Sequence, residues 1–197
     1  MQQLLVTDLA RSITPLPSFL ATRVSGKRFW ELLRPRITSS NPGEFITLSF
    51  AGIDLMDGSF ADEAFATWAS LRGRREAEFY PVLLSDLNDT CRDNLEMALN
   101  TRPDRESKHL ERLRNCVFPV INNAEVILLG KYEENVAETF ELLRRHKTLT
   151  ARELADRMNL NLNAASTRLK TLSDLGLSLR SSVHDSQGKQ YTYHTWE

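Results

Sequence analysis

The chain has little of several residue types and patterns, and each shortage excludes a class of protein. It contains two cysteines in 197 residues, in no metal-binding or redox spacing, so we expect buried thiols rather than a disulfide framework. No apolar run approaches the roughly 18 residues of a membrane-spanning helix, so no membrane partner is expected. The start of the chain lacks a basic stretch followed by a long apolar segment, so no signal peptide is predicted. These shortages favour a cytoplasmic protein, most simply a bacterial one.

Patterns that carry catalysis are also missing. There is no glycine-rich phosphate loop, no Ser-His-Asp arrangement and no Cys/His metal pattern. Acidic residues cluster at 54, 57, 62 and 63 without a neighbouring base or nucleophile, so helix capping explains them better than acid–base chemistry. His184 and His194 would face each other across a predicted hairpin, where a surface pair is favoured over a metal site. We therefore expect no enzyme activity, no cofactor and no bound metal.

The formal net charge of -1 limits the partners as well. A near-neutral chain is not expected to coat nucleic acid, although a discrete site-specific binder remains compatible with it. The length allows two small domains, which we place at residues 1–130 and 131–197.

The most informative stretch is the C-terminal third of the chain. Thr150 followed by Glu153 is a capping box, and it predicts the start of a short helix with one apolar face. Residues 159–163 are typical of a tight turn, after which Asn163 is expected to cap a second helix. That helix has apolar residues at helical spacing and ends at Gly176; they are Ala165, Leu169, Leu172 and Leu175.

Two short strands follow at 177–183 and 189–194, separated by a turn at 184–188. The order of these elements resembles the winged helix-turn-helix family. The resemblance implies that the second helix lies in the major groove of double-stranded DNA and that the last turn forms a wing. The residues that it nominates for DNA contact are Asn163, Ser166, Thr167, Arg168, Lys170, Thr171 and Lys189.

The first half alternates strands and helices, which indicates an α/β sheet. A helix is expected from Ser25 to Arg34, ended by Pro35, and a buried strand at 44–50. Another strand is expected at 78–84, a helix at 86–100, and a hairpin at 117–129 around Asn122 and Asn123.

The segment Ser59-Phe-Ala-Asp-Glu63, after a strand that ends Ser49-Phe-Ala-Gly-Ile53, resembles the STAS fold and especially a bacterial STAS-like family of uncharacterised role. The resemblance implies an α/β domain with a mixed sheet that contacts protein partners. The same resemblance makes Asp57 and Ser59 a candidate switch, controlled by phosphorylation or by the binding of a protein partner. Ser59 does not directly follow the aspartate as the phosphorylated serine of anti-sigma-factor antagonists does, so an ordinary helix cap is favoured there.

Two functions compete on these grounds. The first is a DNA-binding transcriptional regulator with a STAS-like sensing or interaction domain, dimeric as winged-helix regulators often are. The second is a protein-interaction switch or adaptor, similar to anti-sigma-factor antagonists, whose winged helix docks a protein partner. From Arg144 onward nine cations face five anions, an excess of four that does not decide between them.

Overall fold

The structure is a computed structural model. It describes residues 2–38, 44–74, 81–106, 115–122, 125–185 and 188–196. Parts of the predicted strand at 78–84, the turn residue Asn123 and the turn residues 186 and 187 lie outside the described residues.

The described strands are β1 (Gln2–Leu5), β2 (Phe19–Leu20), β3 (Ile46–Ser49), β4 (Leu55–Met56), β5 (Val82–Ser85), β6 (Cys116–Asn122), β7 (Glu125–Lys131), β8 (Thr148–Thr150), β9 (Leu179–Asp185) and β10 (Gly188–His194). The described helices are α1 (Val6–Ala10), α2 (Arg23–Thr38), α3 (Gly58–Ala61), α4 (Thr67–Gly73), α5 (Asp89–Glu106), α6 (Glu134–His146), α7 (Ala151–Met158) and α8 (Leu162–Asp174). A five-residue π-helical turn, Asp62–Ala66, joins α3 to α4. Of these helices, none is long and apolar enough to cross a membrane.

The main sheet has five strands in the order β1-β3-β5-β6-β7. β1, β3, β5 and β6 are parallel, and β7 returns antiparallel to β6 as the second strand of a hairpin. The prediction of an α/β class with a mixed sheet is therefore confirmed.

The first four strands of this sheet follow one another in space in the same order as along the chain. Because parallel crossovers are right-handed, a sheet wound in one direction carries its connecting helices on one face. The larger hydrophobic core lies on that face, where Phe29, Phe65 and Leu95 from the helices meet Leu48 and Leu84 from the strands. The apolar residues on the opposite face of the sheet must therefore be buried by another element.

Helix α6 covers the opposite face of the sheet. Leu83, Val117 and Val126 point to that side and share a second core with Val136 and Phe140 of α6. Their neighbours along the strands belong to the first core, as expected from the two-residue period of a strand. The second core continues into α7, α8 and the C-terminal strands, so it joins the two halves of the chain.

Two further contacts hold α6 and the C-terminus to the sheet. The ring of Trp196 lies 5.3 Å from that of Phe45, just before β3, and 5.6 Å from that of Phe140 on α6. At the start of α6, the backbone N–H of Glu133 donates to Oδ1 of Asn115 over 3.0 Å. The sheet thus fixes where the C-terminal elements begin and where they end.

Local details differ from the sequence expectation in α2. The helix runs from Arg23 to Thr38 and passes through Pro35, which was expected to end it. Proline removes one helical hydrogen bond, but Phe29, Leu33 and Ile37 on the same helix are buried. Burial of that apolar face on both sides of Pro35 outweighs the lost bond.

A buried arginine links α4 to β6. The Arg72 guanidinium lies 4.8 Å from the ring centre of Trp68 and 4.2 Å from that of Phe118, and it donates to the Val117 carbonyl over 2.9 Å. Burial lowers the pKa of Arg72 to about 9, so the group remains charged at neutral pH. The two ring faces stabilise that charge where water is excluded.

Gly130 in β7 provides a test of the packing between the sheet and α5. Its φ is +112°, and an added Cβ would lie 2.3 Å from the Cys116 carbonyl oxygen and 2.8 Å from Cβ of Leu99. Both a strained backbone and a steric clash follow from Gly130→Ala, so we expect the free energy of unfolding to fall by about 3 kcal/mol. Urea denaturation followed by circular dichroism measures this loss.

Gly58→Ala is the matched control for that substitution. A Cβ at Gly58 would meet only the flexible end of Met97, at 3.3 Å, and the backbone there has no positive φ. We expect a change within about 0.5 kcal/mol. Equal effects of the two substitutions would contradict the packing described for Gly130.

Candidate nucleic-acid interface

Helix α7 and the turn after it set the position of α8. The Thr150 side chain accepts the Glu153 backbone N–H, and the Glu153 carboxylate accepts the Thr150 backbone N–H, which confirms the predicted capping box. Asn159 adopts the left-handed conformation with φ 52°, and Leu160 N–H then donates to Ala155 O. Only one residue separates this turn from the cap of α8, so α8 begins earlier in the chain than expected.

The cap of α8 is Asn161 and not Asn163 as expected. Oδ1 of Asn161 accepts the Ala164 backbone N–H over 2.8 Å, and the backbone of Asn161 is extended. The left-handed residue Asn159 shortens the turn, which moves the cap two positions toward the N-terminus. Asn163 consequently lies in the first turn of α8 with its side chain exposed.

Helix α8 has one buried face and one exposed face. Ala165, Leu169 and Leu172 are buried in the second core. The residues exposed on the other side are Asn163, Ser166, Thr167 and Lys170, while Thr171 and Arg168 are partly buried. None of the described residues in the first half of the chain covers the exposed face. This leaves a polar helix surface accessible to a partner.

The hydrogen-bonding groups on this surface differ in availability. The hydroxyls of Thr167 and Thr171 donate to the carbonyls of Asn163 and Thr167, each over 2.9 Å, so their protons are already in use. The side chains of Asn163 and Ser166 form no hydrogen bond to any residue that the structure describes. The first turns of α8 therefore offer the least committed donors and acceptors.

Both predicted cations of α8 are paired with carboxylates. Lys170 Nζ lies 2.9 Å from Asp174 Oδ2 on the same helix. Arg168 Nη1 lies 3.1 Å from Glu138 Oε2 on α6, and the Arg168 side chain is 25% exposed. Each cation would have to break its ion pair in order to bind a phosphate.

Unpaired cations lie instead on the C-terminal hairpin. The Arg180 guanidinium lies 4.4 Å from the ring centre of Tyr191, and Lys189 Nζ lies 5.0 Å from it. A hydrogen bond from Lys189 and the nearby positive charges lower the pKa of Tyr191. Within the described part of the chain, neither Arg180 nor Lys189 forms an ion pair. The hairpin thus presents two cations close to one aromatic ring.

Sequence reasoning nominated Lys189 but missed Arg180 and Tyr191. The strand register places Tyr191 opposite Ser182 and Tyr193 opposite Arg180, so Arg180, Lys189 and Tyr191 share one side of the hairpin. Two-residue periodicity would identify this group once the register is known. The sequence of the turn does not fix that register.

The same register separates the two histidines of the hairpin. His194 lies opposite Leu179, and His184 lies opposite Lys189, so the two do not face each other as expected. His194 Nε2 is instead 2.7 Å from the Ser181 hydroxyl. Among the described residues, no group of three or more metal-ligating side chains converges.

A second candidate site lies at the start of the helical segment after β4. Asp57 caps α3, where Oδ1 accepts the Phe60 backbone N–H over 2.7 Å and Oδ2 accepts the Thr22 backbone N–H over 3.1 Å. The expected cap, Ser59, forms no hydrogen bond to the described residues. Each oxygen of the Asp57 carboxylate thus accepts one of the two N–H groups. Ser59 instead lines an open cleft of about 330 Å³.

One of the residues that line this cleft is a buried acid paired with two arginines. The Asp62 side chain is 4% exposed, and its two oxygens lie 3.1 Å from Arg23 Nη1 and 3.3 Å from Arg102 Nη1. Asp62 begins the π-helical turn, a feature frequent at functional sites. Thr22, next to Arg23, has φ +75°, which is unusual for a β-branched residue. The cleft thus contains a partly exposed cation and an uncommitted hydroxyl, and the strained Thr22 directly precedes that cation in the chain.

The chain was compared with protein-family models, with curated proteins and with solved structures, and nothing matched. The functional interpretation therefore depends on the residues and geometry described above.

The capping box predicts a pH-dependent contribution to the stability of α7. Hydrogen bonds from the Thr150 backbone and hydroxyl lower the pKa of Glu153 in the folded chain. A lowered folded-state pKa gives stability that is fully present above the unfolded value, about 4.5, and is lost as the pH falls through the folded value. We expect Glu153→Ala to lower the free energy of unfolding by about 1 kcal/mol at pH 7 and by less at pH 3.

Urea denaturation at the two pH values measures this difference. Glu134→Ala is the control, because Glu134 is an exposed first-turn acid of α6 that forms no hydrogen bond to the described residues. A loss for Glu153→Ala that is equal at pH 3 and pH 7 would contradict the role of its carboxylate.

Proposed function

We propose that this protein is a DNA-binding transcriptional regulator whose C-terminal residues, 131–197, act as a winged helix-turn-helix unit. One observation carries the proposal: α8 is buried on one side only and its polar side faces solvent, and the hairpin that follows it in the chain carries two cations that form no ion pair with any described residue. Such a helix fits the major groove of duplex DNA, and a basic hairpin beside it can reach the phosphate backbone.

The side chains of α8 and of the hairpin would have different roles. Asn163 and Ser166, with uncommitted hydrogen-bonding groups, would contact base edges, and Thr167 would add an acceptor or methyl contact. Arg180 and Lys189 would contact phosphates, because no acid neutralises them within the described chain. Lys170 would contact a phosphate after its ion pair with Asp174 breaks.

The first half of the chain would act as a STAS-like domain that receives a signal or a protein partner. Its sheet is joined to α6 through the second core, so a partner bound there would act on the body that carries α8. By analogy with winged-helix regulators, we expect a homodimer on a site with two-fold symmetry.

A second function, a protein-interaction switch, is favoured by one specific feature. The cleft beside Ser59 combines an uncommitted hydroxyl with the strained Thr22 and the buried Asp62 network. In this alternative the cleft region would bind a protein partner, and the winged-helix unit would dock a second protein.

Salt-dependent binding to duplex DNA tests the regulator proposal. For the natural chain we expect the affinity for a mixed-sequence duplex, measured by fluorescence anisotropy, to fall steeply as the salt concentration rises. Lys189→Ala removes one phosphate contact, so it should reduce the slope of log affinity against log salt by about 1. The affinity for different sequences should weaken uniformly.

Lys27→Ala is the matched control for Lys189→Ala. Lys27 is also exposed, but it lies on α2, away from the candidate interface. It should leave both affinity and slope unchanged. The proposal is wrong if the natural chain fails to bind duplex DNA at low salt, or if the two lysine variants behave alike.

A further inference from the structure

Arg168 stands out among the residues that the sequence nominates for DNA contact. It lies on the flank of α8 between the buried stripe and the exposed face, and only a quarter of its side chain reaches solvent. Its guanidinium lies 3.1 Å from Glu138 on α6 and 4.0 Å from the sulfur of Met158 on α7. One side chain thus contacts all three helices of the C-terminal unit.

The carboxylate of Glu138 makes a direct phosphate contact by Arg168 unfavourable. A phosphate close enough to bind Arg168 would lie beside that carboxylate, whose side chain is about half exposed. Like charges at that distance repel, and the ion pair would have to break as well. The two hairpin cations, which form no ion pair among the described residues, offer phosphates an alternative without either cost.

The location of Glu138 gives the ion pair a structural consequence. α6 buries Val136 and Phe140 in the core that it shares with the main sheet. The pair therefore connects α8 to the helix whose position the sheet fixes. It restrains the direction in which the exposed face of α8 points.

We infer that Arg168 is a positioning residue, which holds α8 against α6 through Glu138 and does not itself contact DNA. This inference rests on the proposed function for its effect on DNA binding, whereas its effect on α8 is independent of any nucleic acid.

Charge reversal distinguishes positioning from direct contact. Arg168→Met and Glu138→Gln should each weaken duplex binding about fivefold, with the salt slope unchanged, and the double variant should be no weaker than either. Exchanging the two residues, Arg168→Glu with Glu138→Arg, should restore the affinity to within about twofold, because the ion pair forms again in reverse.

A direct phosphate contact predicts the opposite pattern. Glu138→Gln would then leave binding unchanged or tighter, Arg168→Met would reduce the salt slope by about 1, and the exchanged pair would bind worst because it places an acid at the phosphate. Either the reduced slope or the failure of the exchanged pair would overturn the inference. All variants are measured at a temperature where circular dichroism shows them folded.

Hydrogen exchange of the amides of α8, measured without DNA, separates this inference from the proposed function. Each single variant should raise the exchange rate in α8 several-fold, and the exchanged pair should return it to that of the natural chain. Asp174→Asn is the control, because it removes an ion pair within α8 and leaves the link to α6 intact. Unchanged exchange in the single variants would overturn the inference even if the chain binds DNA. Restored exchange without DNA binding would overturn only the proposed function.

Discussion

The structure depends on covering the second face of its main sheet. Strands that follow one another in a single direction place their crossover helices on one side, so the other side would expose Leu83, Val117 and Val126 to water. Burying apolar surface is worth roughly 25 cal/mol per Å², and α6 supplies the partner surface through Val136 and Phe140. The position of every later element follows from this contact.

The arrangement of the C-terminal elements is a consequence of the burial of α6. With one side of α6 against the sheet, α7, α8 and the small sheet β8-β10-β9 complete the second core around it. The polar side of α8 then remains at the surface. The cations of α8 and of the hairpin divide into two groups: Arg168 and Lys170 are paired with acids, whereas Arg180 and Lys189 lie against Tyr191 and have no acidic partner among the described residues. Under the proposed function, the neutral surface of α8 would contact bases and the cationic hairpin would contact the phosphate backbone.

The sequence predicts those features that local chemistry determines. The capping box at Thr150, the left-handed turn at Asn159 and the end of α8 at Gly176 follow from side chains within four residues of each position. The alternation of strands and helices likewise predicts the α/β class. These features require no knowledge of distant contacts.

Features that depend on contacts between distant residues were not predictable from the sequence. Ser59 is a residue type that often caps helices, but Asp57 is the cap, and its carboxylate also accepts the N–H of Thr22, 35 residues earlier in the sequence. Arg168 is predicted from the sequence to be a surface cation, because its ion pair with Glu138, 30 residues earlier, is not evident there. The extension of α2 through Pro35 also depends on burial that sequence periodicity alone does not weigh against the lost hydrogen bond.

The second core joins the sheet and the C-terminal elements into one cooperative unit. Hydrogen exchange of the intact chain at increasing urea concentrations tests this cooperativity, by comparing the amides of α6 and α8 with those of β5. A shared core predicts that the amides of α6, α8 and β5 exchange through the same unfolding event, with the same free energy and the same dependence on urea. Exchange of α6 and α8 through an opening of lower free energy, while β5 stays protected, would contradict it.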